Sequence, residues 1–537
     1  MPQKKTFSSP SRERLPIILI RGFGGLSVED EKSLAYQGFN DGTVYPLKSG
    51  ENYIYEGLIL RFMKSGWGYR DATNVVGYYP RTVTRAKTLP PELEEVDAGF
   101  FSGDKTIIDP SMALSLIKHK EGARPTLWVF RYYDLNDRAF VAYGHALVRL
   151  IDFVRALNAL KTGEKPKVNI IAHSMGGLIV REAVQRSYPN RGQAADDHIN
   201  KIVTLGTPHK GISFQILREW INIAAEDEVE HFSPEFQKDE HEESSHVNFK
   251  DHFPLERLLT VVGTNYRSYE VRAASMLNRL FSISGEFGAN YNRSDGLVKQ
   301  DSAQIDGAPR TFVHKCHGGA DSLVTSREAF EIATRFFFGD YRVRLRLKEG
   351  KVIRGLDFFG KSEIFFGFSV KPRGVDFDLF HQSAEAENCY GPFYSPDLTD
   401  EKPAFDWAGP GRLIWEGFLD TTQIMADPNR RVKDMVMRCD FYVGERDLFG
   451  IGFSDNVIFR KQYYARILLQ SPFTLFLHTN EQFAAPGFQP SKSEEMEVVD
   501  GGWEFKIGGT GFEGVLRVEI DRLPDVGTPL PFESETA

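Results

Sequence analysis

The chain has 537 residues, 41% of them hydrophobic and 26% charged, the composition of a soluble globular protein too long for one ordinary core, so two domains are expected. A net charge of −9 supplies no basic stripe to neutralise phosphates and argues against nucleic acid as a partner. Cys316, Cys389 and Cys439 are widely spaced with no C-x-x-C pair, which fits a reducing compartment or inert buried thiols rather than a disulfide framework.

Residues 1–14 lack the apolar core of a signal peptide and are expected to be flexible. The run Leu15 to Ile20 is too short for a signal or a membrane span and suits a buried strand. No segment reaches the roughly 20 apolar residues of a transmembrane helix. Cytoplasmic residence is the default expectation, with secretion by another route left open.

Residues 15–340 alternate short β-branched runs with helical patterns, the signature of an α/β domain whose parallel sheet carries helices on both faces. Expected strands are Pro16–Arg21, Thr126–Tyr133, Lys167–His173, Lys201–Gly206, Arg257–Gly263 and Arg310–His314. Leu147, Leu150, Ile151, Val154 and Leu157 give the spacing of one buried helix face. Thr325-Ser-Arg-Glu328 resembles a capping box, and Phe330, Ala333 and Phe337 form the stripe of a helix that Gly339 ends.

Two insertions interrupt this rhythm. Residues 26–125 are about four times longer than a simple crossover requires and are rich in Gly, Tyr and Pro. Residues 212–256 begin with an amphipathic segment (Phe214, Ile216, Leu217, Trp220, Ile221, Ile223) and turn acidic from Glu226 to Glu243. Such excursions form lids or substrate walls, or are decoration.

From Tyr341 the period falls to two. Val343, Leu345 and Leu347 alternate with Arg342, Arg344 and Arg346; Val375, Phe377 and Leu379 alternate with Asp376 and Asp378. Trp503-x-Phe-x-Ile507 and Leu516-x-Val-x-Ile520 repeat the pattern. Residues 341–524 therefore read as an all-β sandwich, and 525–537 as a disordered tail. Phe358-Phe359 and Phe365-Phe366 would suit a lipid surface, but suit a sandwich core better.

The densest chemical signal is Val168-Asn-Ile-Ile-Ala-His-Ser-Met-Gly-Gly177, a buried strand, a tight turn with Ser174 at its apex, and helix formers behind it. This arrangement strains and exposes a nucleophilic serine. The turn needs small residues two before and two after the serine, met by Ala172 and Gly176, and aims the Met175 N–H at a forming oxyanion. A helix N-cap serine followed by packing glycines is the alternative.

A serine nucleophile needs a base and an acid, here in the chain order Ser, Asp or Glu, His. Asp295, in Ser294-Asp-Gly296, is the expected acid, with Asp301 and Asp306 as competitors and a plain Asp-Gly turn as the alternative. His317, at the start of a Gly-Gly loop, is the expected base over His314, which reads as packed within its strand. His173 is expected to point away from the apex as a structural residue, and His209 to line a cavity wall. The glycine-rich turn Arg21-Gly-Phe-Gly-Gly25 follows the first strand, so Phe23 N–H joins Met175 N–H as an expected oxyanion donor. His231, His241 and His246 lie among acids at no metal-ligand spacing, so no metal is expected, nor any organic cofactor.

Arg-Gly-Phe-Gly-Gly, Ala-His-Ser-Met-Gly-Gly, Thr-Leu-Gly-Thr-Pro-His-Lys-Gly and Ser-Asp-Gly-Leu-Val, in this order, resemble the serine lipases and esterases of the α/β-hydrolase superfamily over residues 15–340. The resemblance implies a Ser174–Asp295–His317 triad hydrolysing fatty-acid esters. Arg21 departs from it, since members often carry His there; the backbone role survives, and a more cationic cavity would favour an anionic head group. The expected partner is an ester or lipid, with peripheral contact to a lipid surface open. A phospholipase or acyltransferase with the same triad, or a non-catalytic lipid- or protein-binding module, are the alternatives.

Overall fold

The computed structural model describes residues 13–22, 53–72, 76–77, 90–96, 100, 107–108, 110–130, 132, 139–212, 230–268, 293–319, 321–353, 363–373, 375–384, 386, 388–394, 413–421, 425–427, 432–446, 456–468, 473–485 and 488–523. The chain divides into two compact units at residues 333 and 334.

In chain order the first unit comprises β1 (Ile17–Ile20), α1 (Tyr53–Lys64), β2 (Arg70–Asp71), β3 (Val76–Gly77), β4 (Ile107–Ile108), α2 (Pro110–Ile117), β5 (Thr126–Val129) and α3 (Phe140–Thr162). It continues with β6 (Val168–His173), α4 (Met175–Glu182), β7 (Ile199–Leu205), a short α5 (Pro234–Lys238), β8 (Leu258–Gly263) and β9 (Arg310–Val313). Helix α6 (Arg327–Phe338) carries the chain out of this unit.

Seven strands form one sheet in the order β2-β5-β1-β6-β7-β8-β9, with every pairing parallel. Sequences such as Ile17-Ile-Leu-Ile20 have no polar face because both sides of such a sheet are covered; all four residues are fully buried. The central strands match the six expected ones apart from their ends. The short edge strand β2 escapes the sequence pattern because its two residues, Arg70 and Asp71, are polar and pair only with Thr126 and Leu127.

Helix α3 packs the anticipated face, with Leu147, Leu150, Ile151, Val154 and Leu157 fully buried. It stops at Gly163, whose φ of 76° lets its N–H reach Ala159 O. At α6 the cap is one residue later than expected. Ser326 Oγ accepts the Ala329 N–H at 3.0 Å, while the Thr325 hydroxyl turns back to Ser322 O. The amphipathic segment Phe214–Ile223 of the 212–256 insertion lies outside the described residues, as do the glycine-rich stretch 23–25 and the tail after Pro524.

The second unit contains β10 (Tyr341–Val352), β11 (Glu363–Pro372), β12 (Tyr390–Tyr394), β13 (Leu413–Leu419), β14 (Met425–Asp427) and β15 (Val432–Arg446). It ends with β16 (Asn456–Leu468), β17 (Thr474–His478), β18 (Glu497–Val499), β19 (Gly502–Gly508) and β20 (Phe512–Arg522). Two antiparallel sheets result, β13-β10-β20-β19-β18 and β12-β11-β15-β16-β17, with β14 on β15. Phe512 of the first meets Phe366 and Phe459 of the second, with centroids 6.1 and 5.4 Å away, making a sandwich core.

The alternation along β10 holds: Val343, Leu345 and Leu347 are buried, while Arg344 pairs with Glu519 and Asp521, and Arg346 with Glu519. Phe366 is 1% exposed and belongs to the core, whereas Phe358 and Phe359 lie outside the described residues. The alternation at Val375–Leu379 does not make a strand. Phe377 and Leu379 are buried anchors of an irregular segment, which meets β11 at an isolated bridge between Val370 and Phe380. Asp376 instead turns back to Lys371.

Candidate active site

The sheet order reverses at β1, which is flanked by β5 and β6, and the crevice at the carboxyl ends of the strands is where such sheets bind ligands. Gly22 follows β1 there, Ser174 follows β6, and His317 follows β9.

Ser174 has φ 53° and ψ −126°, and is the one non-glycine among the described residues with positive φ. Such backbone costs about 1–3 kcal/mol and persists only where its surroundings enforce it. Ser174 N–H donates to Leu205 O at 3.0 Å, which holds the turn against β7. The small-residue requirement is steric: a Cβ on Gly176 would lie 2.6 Å from Ile20 O and 2.7 Å from Arg21 O. Helix α4 begins at Met175, so the Met175 N–H is among the N-terminal donors with no acceptor inside the helix.

Three distant residues meet at this turn. His317 Nε2 is 2.9 Å from Ser174 Oγ, and His317 Nδ1 is 2.8 Å from Asp295 Oδ2. The other carboxylate oxygen, Asp295 Oδ1, accepts the N–H groups of Leu297 (3.1 Å) and Val298 (2.8 Å). The Asp-Gly turn therefore spends one oxygen on its own backbone and presents the other to the imidazole. A carboxylate only accepts, so the proton lies on Nδ1, and Nε2 is left to take the serine proton. Ser174, Asp295 and His317 are 2%, 1% and 3% exposed, so these bonds are made away from water.

The competing residues go elsewhere. Asp301 and Asp306 both pair with Lys210. His314 lies just past β9 rather than within it, half-buried, with Nδ1 3.3 Å from Thr264 Oγ1. His209 is fully buried with Nε2 3.1 Å from Thr204 Oγ1, and burial, aided by Arg181, holds its imidazole well below the usual histidine range. It is a core residue, not a cavity wall. Phe23, the second expected oxyanion donor, lies outside the described residues.

Of the three histidines set among acids, His231 Nε2 lies 3.6 Å from Glu182 Oε2 with its ring stacked on Phe140. His246 Nδ1 meets Gln237 O, and the His241 backbone N–H donates to Asp239 Oδ1. Among the described residues no three His, Cys, Asp or Glu gather as a metal-ligand group.

Residues 108–263, which carry β5 to β8 and the serine turn, match the family model of the PGAP1-like alpha/beta domain. Residues 14–333 form a compact α/β unit built on one seven-stranded parallel sheet. Among solved structures, the chain is similar to a lipase from Bacillus licheniformis at 15% identity and TM-score 0.33, over 62% of this chain and 95% of that one. A putative cell surface hydrolase from Lactobacillus plantarum follows at 12% identity and TM-score 0.29, over 60% and 90% of the two chains. Phospholipase PlaB from Legionella pneumophila matches at 10% identity and TM-score 0.32, over 80% and 86%. No curated protein matches the chain.

The first unit also uses residues that the sequence did not single out. The Tyr132 hydroxyl, fully buried, donates to Gly22 O at 2.6 Å and fixes Gly22 beyond the end of β1. Arg181 of α4 is 2% exposed and donates to His209 O at 2.9 Å, to Ser244 O and to Gln185 Oε1 at 3.2 Å; burial pushes its guanidinium down to about 9. It ties the helix behind Ser174 to the described part of the second insertion. His173 does not point away from the apex as expected. Its ring centroid is 4.8 Å from that of His317, and its Nε2 is 2.9 Å from His317 O. No periodicity announces the bonds to Gly22 O, His209 O, Ser244 O and His317 O, since each joins side chain to backbone across a long stretch of chain.

Among the described residues no helix is long and apolar enough to cross a membrane.

Proposed function

We propose that the hydrolase domain is a serine carboxylic ester hydrolase of lipase or esterase type, working through an acyl-serine intermediate. One observation carries the reading: a strained serine whose hydroxyl is 2.9 Å from an imidazole, itself 2.8 Å from a buried carboxylate.

Ser174 Oγ attacks the ester carbonyl carbon as its proton passes to His317 Nε2. The carbonyl oxygen becomes an oxyanion, and the Met175 N–H at the start of α4 and the Phe23 N–H stabilise it. His317 returns the proton to the leaving alkoxide as the C–O bond breaks, and Ser174 keeps the acyl group. Water, deprotonated by His317, attacks the acyl-serine; the carboxylic acid leaves and Ser174 regains its proton. Asp295 holds the Nδ1–H tautomer and stabilises the imidazolium formed in each half-reaction. No step calls for a cofactor.

The substrate is a carboxylic ester of lipid type; its acyl length and head group are not set by these three residues. The test is hydrolysis of a short p-nitrophenyl ester by the full chain and by Ser174→Ala. The reading expects a loss of roughly 10⁴-fold or more in kcat. A folded Ser174→Ala protein as fast as the parent would reject it.

A further inference from the structure

We propose that His173 is a positioning residue for the same acyl transfer: its imidazole N–H holds the backbone of His317 and so fixes where the base stands between Ser174 and Asp295. The inference rests on the reading of Ser174 and His317 as nucleophile and base, and adds a residue to it.

His317 stands in the loop after β9, where no strand ladder fixes it. Its own peptide groups are instead tied to the site. The His317 N–H donates to Asp295 O at 2.9 Å, and the His317 carbonyl accepts from His173 Nε2 at 2.9 Å. A carbonyl cannot donate, so Nε2 carries the proton and Nδ1 is the bare nitrogen. His173 is the last residue of β6 and is joined to Ser174 by one peptide bond. The strand that delivers the nucleophile thus also holds the base. The acid is linked to the base twice, through its side chain and through its backbone carbonyl.

His173 is suited to this by staying neutral. It is 3% exposed; burial drives its imidazole well below the usual histidine range, and the neighbouring His317 pushes it the same way. When His317 takes the serine proton, a positive charge forms beside the His173 ring, 4.8 Å between centroids. A lysine or arginine donor at this place would oppose that charge, whereas a neutral imidazole donates without doing so. Space on the far side is kept by Gly22, where a Cβ would lie 3.1 Å from His173 Nδ1.

A merely packed histidine would be replaced by any side chain of similar bulk; a positioning donor needs an N–H at one reach. His173→Gln puts an amide N–H near the place of Nε2, and His173→Asn carries the same amide one methylene shorter. Both are compared with the full-length parent on a short p-nitrophenyl ester and in the rate of fluorophosphonate labelling at Ser174. The expected result is Gln within roughly 5-fold of the parent in kcat and Asn lower by about 10- to 100-fold, with KM within about twofold and labelling falling in step. Equal kcat in Gln and Asn, or a loss confined to KM, overturns the proposal. Should Asn fail to fold by circular dichroism, His173→Phe keeps the ring and lacks the donor, and the same two outcomes apply to it. Ser174→Ala is run beside them. If it is inactive while Gln and Asn agree, the His173 proposal alone fails; if it is active, the reading of the site fails with it.

Discussion

Gly22 passes so close to Ser174 that a Cβ on it would lie 2.6 Å from the serine Cβ and 3.2 Å from its Oγ. Both segments are fixed from behind: Gly22 O by the Tyr132 hydroxyl, and Ser174 N–H by Leu205 O. Neither can give way cheaply, so Gly22→Ala should shift the serine turn. A displacement on the order of 1 Å costs about 100-fold in such chemistry, and the expected fall in kcat/KM is of that size. Steady-state kinetics with a p-nitrophenyl ester checks it; an alanine variant within twofold of the parent would contradict the close approach.

Asp295→Asn should leave the fold intact and remove most of the activity. The amide oxygen can still accept the Leu297 and Val298 N–H groups, but the amide N–H₂ would then face His317 Nδ1. The imidazole must flip its tautomer to bond it, and Nε2 then carries a proton where a lone pair is needed. A loss on the order of 10³ to 10⁴ in kcat is expected, by analogy with the same change in serine proteases. Unchanged circular dichroism with lost turnover is the predicted pair of results.

Tyr132→Phe removes one hydroxyl from a fully buried bond of 2.6 Å and leaves Gly22 O without it. The expected destabilisation is about 1–3 kcal/mol, read from the urea midpoint. Turnover should fall as well, because Gly22, which passes close to Ser174, loses the bond that holds its carbonyl. A variant as stable and as active as the parent would count against the role given to Tyr132.

Acid should unfold the first unit through its buried neutral histidines. His173 and His209 are held well below the usual range by burial, while in the unfolded chain each protonates near the ordinary value of about 6.5. Below that pH the unfolded chain binds more protons than the native one, so stability falls as pH falls. Each fully neutral histidine contributes a slope of at most about 1.4 kcal/mol per pH unit. Urea unfolding at pH 7.5, 6.5 and 5.5 should show the decline, and His209→Gln should make it shallower. A His209→Gln slope equal to the parent's would remove His209 from this account.

Much of the first unit was legible because a parallel sheet covered on both sides writes itself as short continuous apolar runs. The strand ends were less so, because they build the site. Thr126–Tyr133 was expected as one strand, yet β5 stops at Val129 and Tyr132 reaches Gly22 O. Its aromatic, β-prone letters do not show that turn. The meeting of Ser174, Asp295 and His317 could be anticipated because each is announced by local turn chemistry: a serine between small residues, an Asp-Gly, and a histidine before Gly-Gly. His173 was misplaced because standing next to the nucleophile in the sequence does not decide which way a side chain points where a strand ends in a sharp turn. In the second unit the period of two succeeded along β10, where cross-strand ion pairs occupy the polar face. It failed at Val375–Leu379, because apolar anchors of an irregular segment carry the same letters as a strand.

The most direct measurement is covalent capture of the nucleophile: the folded full chain is treated with a fluorophosphonate, digested, and its adduct located by mass spectrometry. The account predicts one adduct, on Ser174, formed much more slowly in His317→Ala. An adduct on another residue, or none on folded and ester-hydrolysing protein, would contradict it.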